Sequence, residues 1–195
     1  MRLYNIPLTI PNVLSLYRLA SFPVLLMFIL LGWEKAFAYF IWISLTTDIL
    51  DGWLARRLNQ VTETGARLDG LADTATYLLG FTGIIVFKWS DFQPFAVSFS
   101  IFTGLFILSR LYSWVKHGRF YGFQTYSGKT AGYIHGSFII VLFVFGFYTW
   151  FYYVMVISGF IVFSENVIIA LLLREPRSHV KGLYWVIMER KKGIA

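Results

Sequence analysis

Cysteine is absent from the 195 residues, and charged side chains make up only 14% of them. Without cysteine the chain has no disulfide, no thiolate chemistry and no cysteine-ligated zinc. Soluble domains carry about a quarter charged residues, whereas 57% of this chain is hydrophobic and 20% is aromatic. This composition indicates an integral membrane protein with only short connections between its spans.

Apolar runs of the length needed to cross a bilayer as a helix, roughly 20 residues, follow one another along the chain. They cover about 12–32, 35–56, 69–88, 92–116, 131–149 and 151–173. We therefore expect an all-α fold, a bundle of six transmembrane helices within residues 1–173. The first run is too long for a removable signal peptide, so we expect it to stay in the mature protein.

Residues 174–195 have a different pattern, in which apolar residues recur at helical spacing among basic ones. The apolar positions are Val180, Leu183, Tyr184, Ile187 and Met188. Such a segment is typical of a short helix lying on the membrane surface, and the alternative is a frayed basic tail.

Basic residues are distributed unequally between the two sides of the predicted bundle. With a cytoplasmic N-terminus, the cytoplasmic side receives Arg56, Arg57, Arg67, Lys116, Arg119, Lys129, Arg174, Arg177 and Lys181, and the other side Lys35 and Lys88. The positive-inside rule then predicts a multi-pass protein of the cell (inner) membrane with both termini in the cytoplasm. The formal charge of +7 thus indicates topology and anionic headgroups, with no nucleic-acid partner.

Ionisable residues are costly inside spans, at about 2.5–3.5 kcal/mol each near the bilayer centre. The predicted spans nevertheless contain Arg18, Asp48, Asp51, Asp69, Asp73, Arg110 and Glu165. Counted inward from the cytoplasmic ends, most of them fall at similar depth, which predicts one polar active-site chamber facing the cytoplasm. We expect Arg110 and Glu165 to form a structural ion pair.

The four aspartates have a spacing that brings their carboxylates together. Asp48 and Asp51 are three residues apart and Asp69 and Asp73 four apart, so each pair lies on one helix face. Four converging anions need compensating cations. Oxygen ligands without His or Cys favour Mg²⁺, Mn²⁺ or Ca²⁺, and two ions would neutralise the cluster.

Small residues between the two pairs leave room for a ligand, at Gly52, Ala55 and Gly65, and Arg56 adds a cation. Paired metal ions beside a basic rim suit a phosphate or pyrophosphate substrate. Alternatively, the first aspartate pair only neutralises Arg56 and Arg57 at a helix end, and the second pair caps the next helix.

Residues 48–73 match the signature D-x2-D-G-x2-A-R-x8-G-x3-D-x3-D without a gap. By this motif and its six-span pattern the chain resembles the CDP-alcohol phosphatidyltransferase family. The resemblance implies transfer of a phosphatidyl group from CDP-diacylglycerol to the hydroxyl of a small alcohol, with release of CMP. It also implies a homodimer.

The resemblance further assigns roles to the motif residues. Asp48, Asp51 and Asp69 would bind the metal ions, two Mg²⁺ with Mn²⁺ as a substitute. Asp73 would act as the catalytic base and share in the second metal. The residues expected to lie against the CDP-lipid donor are Gly52, Ala55, Arg56 and Gly65.

The acceptor alcohol is less well defined by the sequence. Pro11 to Ser15, followed by Arg18, resembles the phosphatidylglycerophosphate synthase and cardiolipin synthase branch, whereas Leu68 to Thr74 is closer to the phosphatidylserine synthase pattern. Glycerol 3-phosphate is the leading acceptor, and serine, inositol phosphate or another alcohol are alternatives. Residues available for an acceptor phosphate are Lys116, Arg119 and Lys129, which equally serve as positive-inside residues. A cation transporter with carboxylates in its spans is the rival class.

Overall fold

The computed structural model describes residues 9–57, 63–118, 123, 125–173 and 180–191. Most of these residues are helical and none of them lies in a strand, which confirms the predicted all-α class. The helices are α1 (Ile10–Leu30), α2 (Glu34–Arg57), α3 (Glu63–Phe87), the short α4 (Trp89–Phe92), a 3-10 turn (Gln93–Phe95), α5 (Ala96–His117), α6 (Tyr126–Val144), α7 (Thr149–Leu172) and α8 (Leu183–Lys191).

Each predicted apolar run overlaps a long helix, although α3 begins at Glu63 rather than at residue 69 and α6 covers Tyr126–Val144 rather than 131–149. Four helical segments among the described residues are long and apolar enough to cross a membrane: Asn12–Leu30, Gly65–Phe87, Trp89–Lys116 and Thr149–Leu172. The helices α2 and α6 do not belong to this set. Ionisable residues are frequent in α2, and α6 begins with a polar, glycine-containing stretch.

The chain divides into two compact units, Met1–Ser90 and Asp91–Ala195. In the first unit α1 packs against both α2 and α3. The start of α1 is capped by Thr9, whose hydroxyl accepts a hydrogen bond from the Asn12 backbone N–H. At Gly32, a positive φ of 70° that glycine adopts without strain turns the chain toward α2.

The core of the first unit is apolar and aromatic. Phe37 of α2 is fully buried and lies against Gly83 of α3, where an added Cβ would come within 2.5 Å of the phenyl ring. The glycine therefore allows α2 and α3 to approach closely at this level. At the same end of the unit, the Lys88 ammonium pairs with the Glu34 carboxylate at 2.8 Å.

In the second unit α7 is the central helix, packed against α5, α6 and α8. One buried stripe runs along it at helical spacing, comprising Tyr152, Met155, Val156, Gly159, Val162, Phe163, Asn166, Ile169 and Ala170. The Phe102 ring of α5 packs directly on Gly159, so this position has no room for a side chain. The helix α8 joins the unit through Val186, in one apolar cluster with Ile169, Leu173 and Val180.

Candidate active site

Three helices of the first unit bring ionisable side chains to one end of it. Arg18 lies in the N-terminal half of α1, Asp48 in the C-terminal half of α2, and Asp69 and Asp73 in the N-terminal half of α3. Their contacts show that α2 runs antiparallel to its two neighbours. The Lys88–Glu34 pair lies at the opposite helix ends, in agreement with this arrangement.

The Arg18 guanidinium contacts all three of these carboxylates. Its Nη1 lies 2.5 Å from Oδ1 of Asp48 and 3.0 Å from Oδ1 of Asp73, and its Nη2 lies 2.7 Å from Oδ1 of Asp69. The planar guanidinium offers several donors in a fixed geometry, so one side chain can bridge acceptors on two helices. The predicted convergence of these three aspartates is what the structure shows, with Arg18 at its centre.

Burial differs sharply between the cation and the anions. The Arg18 side chain is 1% exposed, whereas those of Asp48, Asp69 and Asp73 are 36%, 29% and 39% exposed. The arginine therefore lies beneath the carboxylates, and the carboxylates reach the surface of the unit. Charged groups in such a position remain accessible to a ligand.

The donor set fits a divalent metal ion. Carboxylate oxygens of Asp48, Asp69 and Asp73 lie within 4.8 Å of one another. Oxygens bound to one Mg²⁺ or Ca²⁺ lie about 2.0–2.6 Å from it, hence at most about 4–5 Å apart. Three carboxylates against one guanidinium leave a formal excess of two negative charges, which a single dication would balance. The cluster is thus a candidate site for a hard divalent cation.

The remaining predicted donor-site residues are only partly described. The backbone of α2 includes Asp51, Gly52, Ala55 and Arg56, but their side chains lie outside the described part. Gly65 is described and lies in the first turn of α3, one helical turn before Asp69. The fourth metal ligand, Asp51, and the roles of these residues toward the donor therefore stay predictions.

The basic residues proposed for an acceptor phosphate belong to the second unit. The Lys116 ammonium donates hydrogen bonds to the backbone carbonyls of Ala170 at 2.7 Å and Leu171 at 2.9 Å. It thereby offsets the partial negative charge of the carbonyls near the C-terminus of α7, where the helix dipole favours a cation. Lys129 is exposed, with its ammonium 5.9 Å from the ring centroid of Tyr126, and Arg119 lies outside the described residues.

Glu165 has different partners from the one expected. Its carboxylate accepts hydrogen bonds from the Ser127 hydroxyl and from the Leu183 backbone N–H. Arg110 instead places its guanidinium over the Phe106 ring, 5.0 Å from the centroid. Among the described residues the predicted Arg110–Glu165 ion pair is therefore not found, because equal depth along two helices does not fix which faces meet.

The sequence places Arg18 at the depth of the aspartates but does not indicate its role. The signal was its position, a single basic residue one third of the way along an otherwise apolar run. Such a residue needs a partner of opposite charge in the bundle. The partner could not be chosen from sequence, because helical rotation and crossing decide it.

Comparison with known proteins agrees with the motif. The family model described as CDP-alcohol phosphatidyltransferase matches residues 8–173. A cardiolipin synthase (CMP-forming) of Streptomyces coelicolor is 38% identical over 96 residues, 45% of this chain and 42% of that protein. No solved structure matches the chain.

Two relatives bear the name CDP-diacylglycerol–glycerol-3-phosphate 3-phosphatidyltransferase. The protein of Cereibacter sphaeroides is 32% identical over 93 residues, 46% of this chain and 41% of its own length. That of Wigglesworthia glossinidia brevipalpis is 42% identical over 82 residues, 40% of this chain and 44% of its own. The chain thus matches less than half of the length of each of these relatives.

Proposed function

The chain belongs to the CDP-alcohol phosphatidyltransferase family, and from this premise we propose that it transfers the phosphatidyl group of CDP-diacylglycerol to glycerol 3-phosphate, releasing CMP. The donor and the reaction type follow from the family. The acceptor is proposed because relatives of this chain are named for glycerol 3-phosphate. The observation that carries the proposal is the meeting of Asp48, Asp69 and Asp73, the described aspartates of the motif, at one accessible site.

We propose that Asp48, Asp51 and Asp69 hold two Mg²⁺ ions, with Mn²⁺ as a working substitute, and that Asp73 shares in the second. Hard oxygen donors without His or Cys support this choice of metal. The ions would supply neutralisation of the pyrophosphate charge of the donor. Because the carboxylates repel one another, they require more positive charge than Arg18 alone provides.

In the proposed reaction the acceptor hydroxyl oxygen bonds to the phosphorus of the phosphatidyl group. The bond from that phosphorus to the oxygen of CMP breaks, and CMP leaves with the electron pair. Asp73 takes the proton of the attacking hydroxyl, and its carboxylate also orients that hydroxyl. No covalent enzyme intermediate is needed, because alignment and charge neutralisation account for most catalysis of phosphoryl transfer.

Residues around the aspartates are proposed to bind the donor. Gly52, Ala55 and Gly65 present little side chain, which favours close approach of a nucleotide, and Arg56 adds a positive charge for its phosphates. For the acceptor phosphate we keep Arg119 and Lys129 as candidates. Lys116 is a weaker candidate, since its ammonium is bonded to carbonyls of α7.

The chain is a multi-pass membrane protein by its apolar helices and its family. We propose that α2 and α6 complete a set of six spans, since each is long enough to cross a bilayer. The positive-inside pattern supports an inner-membrane location with the active site and both termini in the cytoplasm. We also propose a homodimer, which the family resemblance implies.

A second acceptor is favoured by one observation, the relative named cardiolipin synthase (CMP-forming). Phosphatidylglycerol is therefore the runner-up to glycerol 3-phosphate. The rival class, a cation transporter, would use the same carboxylates without releasing CMP.

The deciding experiment is an acceptor panel with purified protein, radiolabelled CDP-diacylglycerol and Mg²⁺. The acceptors are glycerol 3-phosphate, phosphatidylglycerol, serine, inositol and inositol phosphate, each tested in parallel with the Asp73→Asn variant. We expect CMP and a phosphatidylated product with glycerol 3-phosphate and none from the variant. Product from another acceptor alone would reassign the substrate, and absence of CMP with every acceptor, together with cation uptake into proteoliposomes, would favour the transporter.

A further inference from the structure

One guanidinium lies beneath the whole described acidic cluster. Arg18 reaches Asp48, Asp69 and Asp73 at 2.5, 2.7 and 3.0 Å from its two terminal nitrogens. These three aspartates belong to two helices, and Arg18 belongs to a third. The arginine therefore connects all three helices of the first unit at the level of the site.

The contribution of Arg18 to stability depends on which other cations neutralise the carboxylates. Without another cation, carboxylate groups this close repel one another and favour splaying or protonation. Arg18 offsets that repulsion, and in return its own charge, at 1% side-chain exposure, is compensated by the aspartates. A buried charge that loses its partners is strongly destabilising, so the arginine and the cluster depend on each other in the metal-free protein.

We infer that Arg18 is a positioning residue that holds the aspartates together before a metal ion binds and weakens the binding of that ion by competing for the same negative charge. This inference rests on the proposed metal-dependent function. An ion bound to these carboxylates would lie within a few ångströms of the guanidinium, where like charges repel strongly. Arg18 thus stabilises the metal-free state and limits how tightly the site holds its ion.

Two effects on metal affinity oppose each other. Removing the positive charge abolishes its repulsion of the ion, whereas losing the tether lets the carboxylates separate, and the direct repulsion between charges a few ångströms apart is the larger effect. A neutral residue at position 18 should therefore lower the metal-free melting temperature and tighten metal binding. A side chain with a merely structural role would lower stability without tightening the metal site.

The test uses the full chain in detergent, with Mn²⁺ as the probe and free Mn²⁺ measured by electron paramagnetic resonance, without donor or acceptor. For Arg18→Met and Arg18→Gln we expect a lower metal-free melting temperature, a Kd for Mn²⁺ at least about tenfold lower, and a larger stabilisation by Mn²⁺. Arg18→Lys keeps the charge but loses the forked geometry. Its Kd should stay within about threefold of wild type while its metal-free melting temperature falls.

The matched control is Lys88→Met, which removes a cation of the same unit that pairs with Glu34 at the opposite helix ends. It should lower stability and leave the Kd for Mn²⁺ unchanged. Neutral variants that fold only when Mn²⁺ is present would also support the inference. Equal or weaker Mn²⁺ binding by the neutral variants, or failure to fold even with Mn²⁺, would overturn it.

Failure of the inference differs from failure of the proposed function. If the wild-type protein produces CMP but position 18 leaves the Kd unchanged, only the inference is wrong. If Mn²⁺ binding responds as expected and no acceptor yields CMP, the inference stands as a statement about the metal site and the proposed reaction is wrong.

Discussion

Oε1 of Glu165 accepts a hydrogen bond from the backbone N–H of Leu183, with 2.8 Å between the two atoms. Glu165 lies within α7, and Leu183 is the first residue of α8. The N–H groups at a helix start have no partner within the helix, and a negative charge there also interacts favourably with the helix dipole. Oε2 of the same carboxylate accepts from the Ser127 hydroxyl at the start of α6. One side chain therefore connects three helices of the second unit.

Replacing Glu165 should loosen α8. Glu165→Ala removes the acceptor for the Leu183 N–H and is expected to cost about 1–2 kcal/mol, as for loss of a helix cap. Amide hydrogen exchange across residues 183–191 should become faster. Ser127→Ala is the matched control, since it removes the partner of the other oxygen and should leave this exchange near wild type. Unchanged exchange in Glu165→Ala would show that the apolar contacts of Val186 suffice to hold the helix.

Phosphatidyl transfer should require a divalent ion. The described carboxylates carry more negative charge than Arg18 compensates, and donor binding adds a pyrophosphate. Excess EDTA should abolish CMP release, and Mg²⁺ or Mn²⁺ should restore it. EDTA saturated beforehand with Mg²⁺ controls for effects of the chelator itself. Full CMP release in metal-free EDTA would rule out the metal-dependent mechanism.

Two isosteric substitutions should separate the base from a metal ligand. Asp73→Asn cannot accept the hydroxyl proton, so turnover should fall by at least about 10²-fold while donor binding is largely kept. Asp48→Asn removes a ligand charge and should weaken Mn²⁺ binding at least about tenfold. Saturating Mg²⁺ should restore more activity to the residue-48 variant than to the residue-73 variant. Near wild-type turnover by a folded, metal-saturated Asp73→Asn would make the base assignment wrong.

Lys116 should contribute to stability more than to acceptor binding. Lys116→Met removes two hydrogen bonds from a charged donor to α7 carbonyls, and we expect a loss of about 1–3 kcal/mol with a lower melting temperature. The KM for glycerol 3-phosphate should change less than about twofold. Lys129→Met is the comparison, because the ammonium of Lys129 lies 5.9 Å from the ring centroid of Tyr126, and loss of this weaker contact should affect stability little. A large rise in KM for Lys116→Met without loss of stability would restore it as an acceptor ligand.

The exposed face of α8 should lie in the membrane interface. Val186 faces the core, while Tyr184, Ile187 and Met188 are 65%, 40% and 38% exposed, and basic residues flank them. Because the chain has no cysteine, Ile187→Cys introduces a unique site for a spin label. In proteoliposomes containing anionic lipid, this label should be more accessible to oxygen than to a water-soluble nickel complex. Lys181→Cys should show the reverse, and equal nickel access at both positions would place the helix in water.

Sequence was sufficient for the helical class and for the positions of the long helices. Apolar runs of 20 or more residues have few alternatives, because backbone groups in lipid must be paired within the segment. The number of spans is less determined, since α2 and α6 mix apolar residues with ionisable, small or polar ones. Hydropathy is an average over all residues of a segment, whereas a helix packed against its neighbours can carry polar residues on its buried faces.

The shared helix face of Asp69 and Asp73 was also predictable, because a spacing of four residues places both carboxylates there whatever surrounds the helix. Which charges meet across helices was decided by tertiary structure alone. Arg18 and Glu165 were both noticed as charges in apolar runs, yet Arg18 contacts the aspartates and Glu165 bonds to Ser127 and Leu183. Depth along a helix can be counted from sequence, but the rotation of one helix against another depends on the packing of all their side chains.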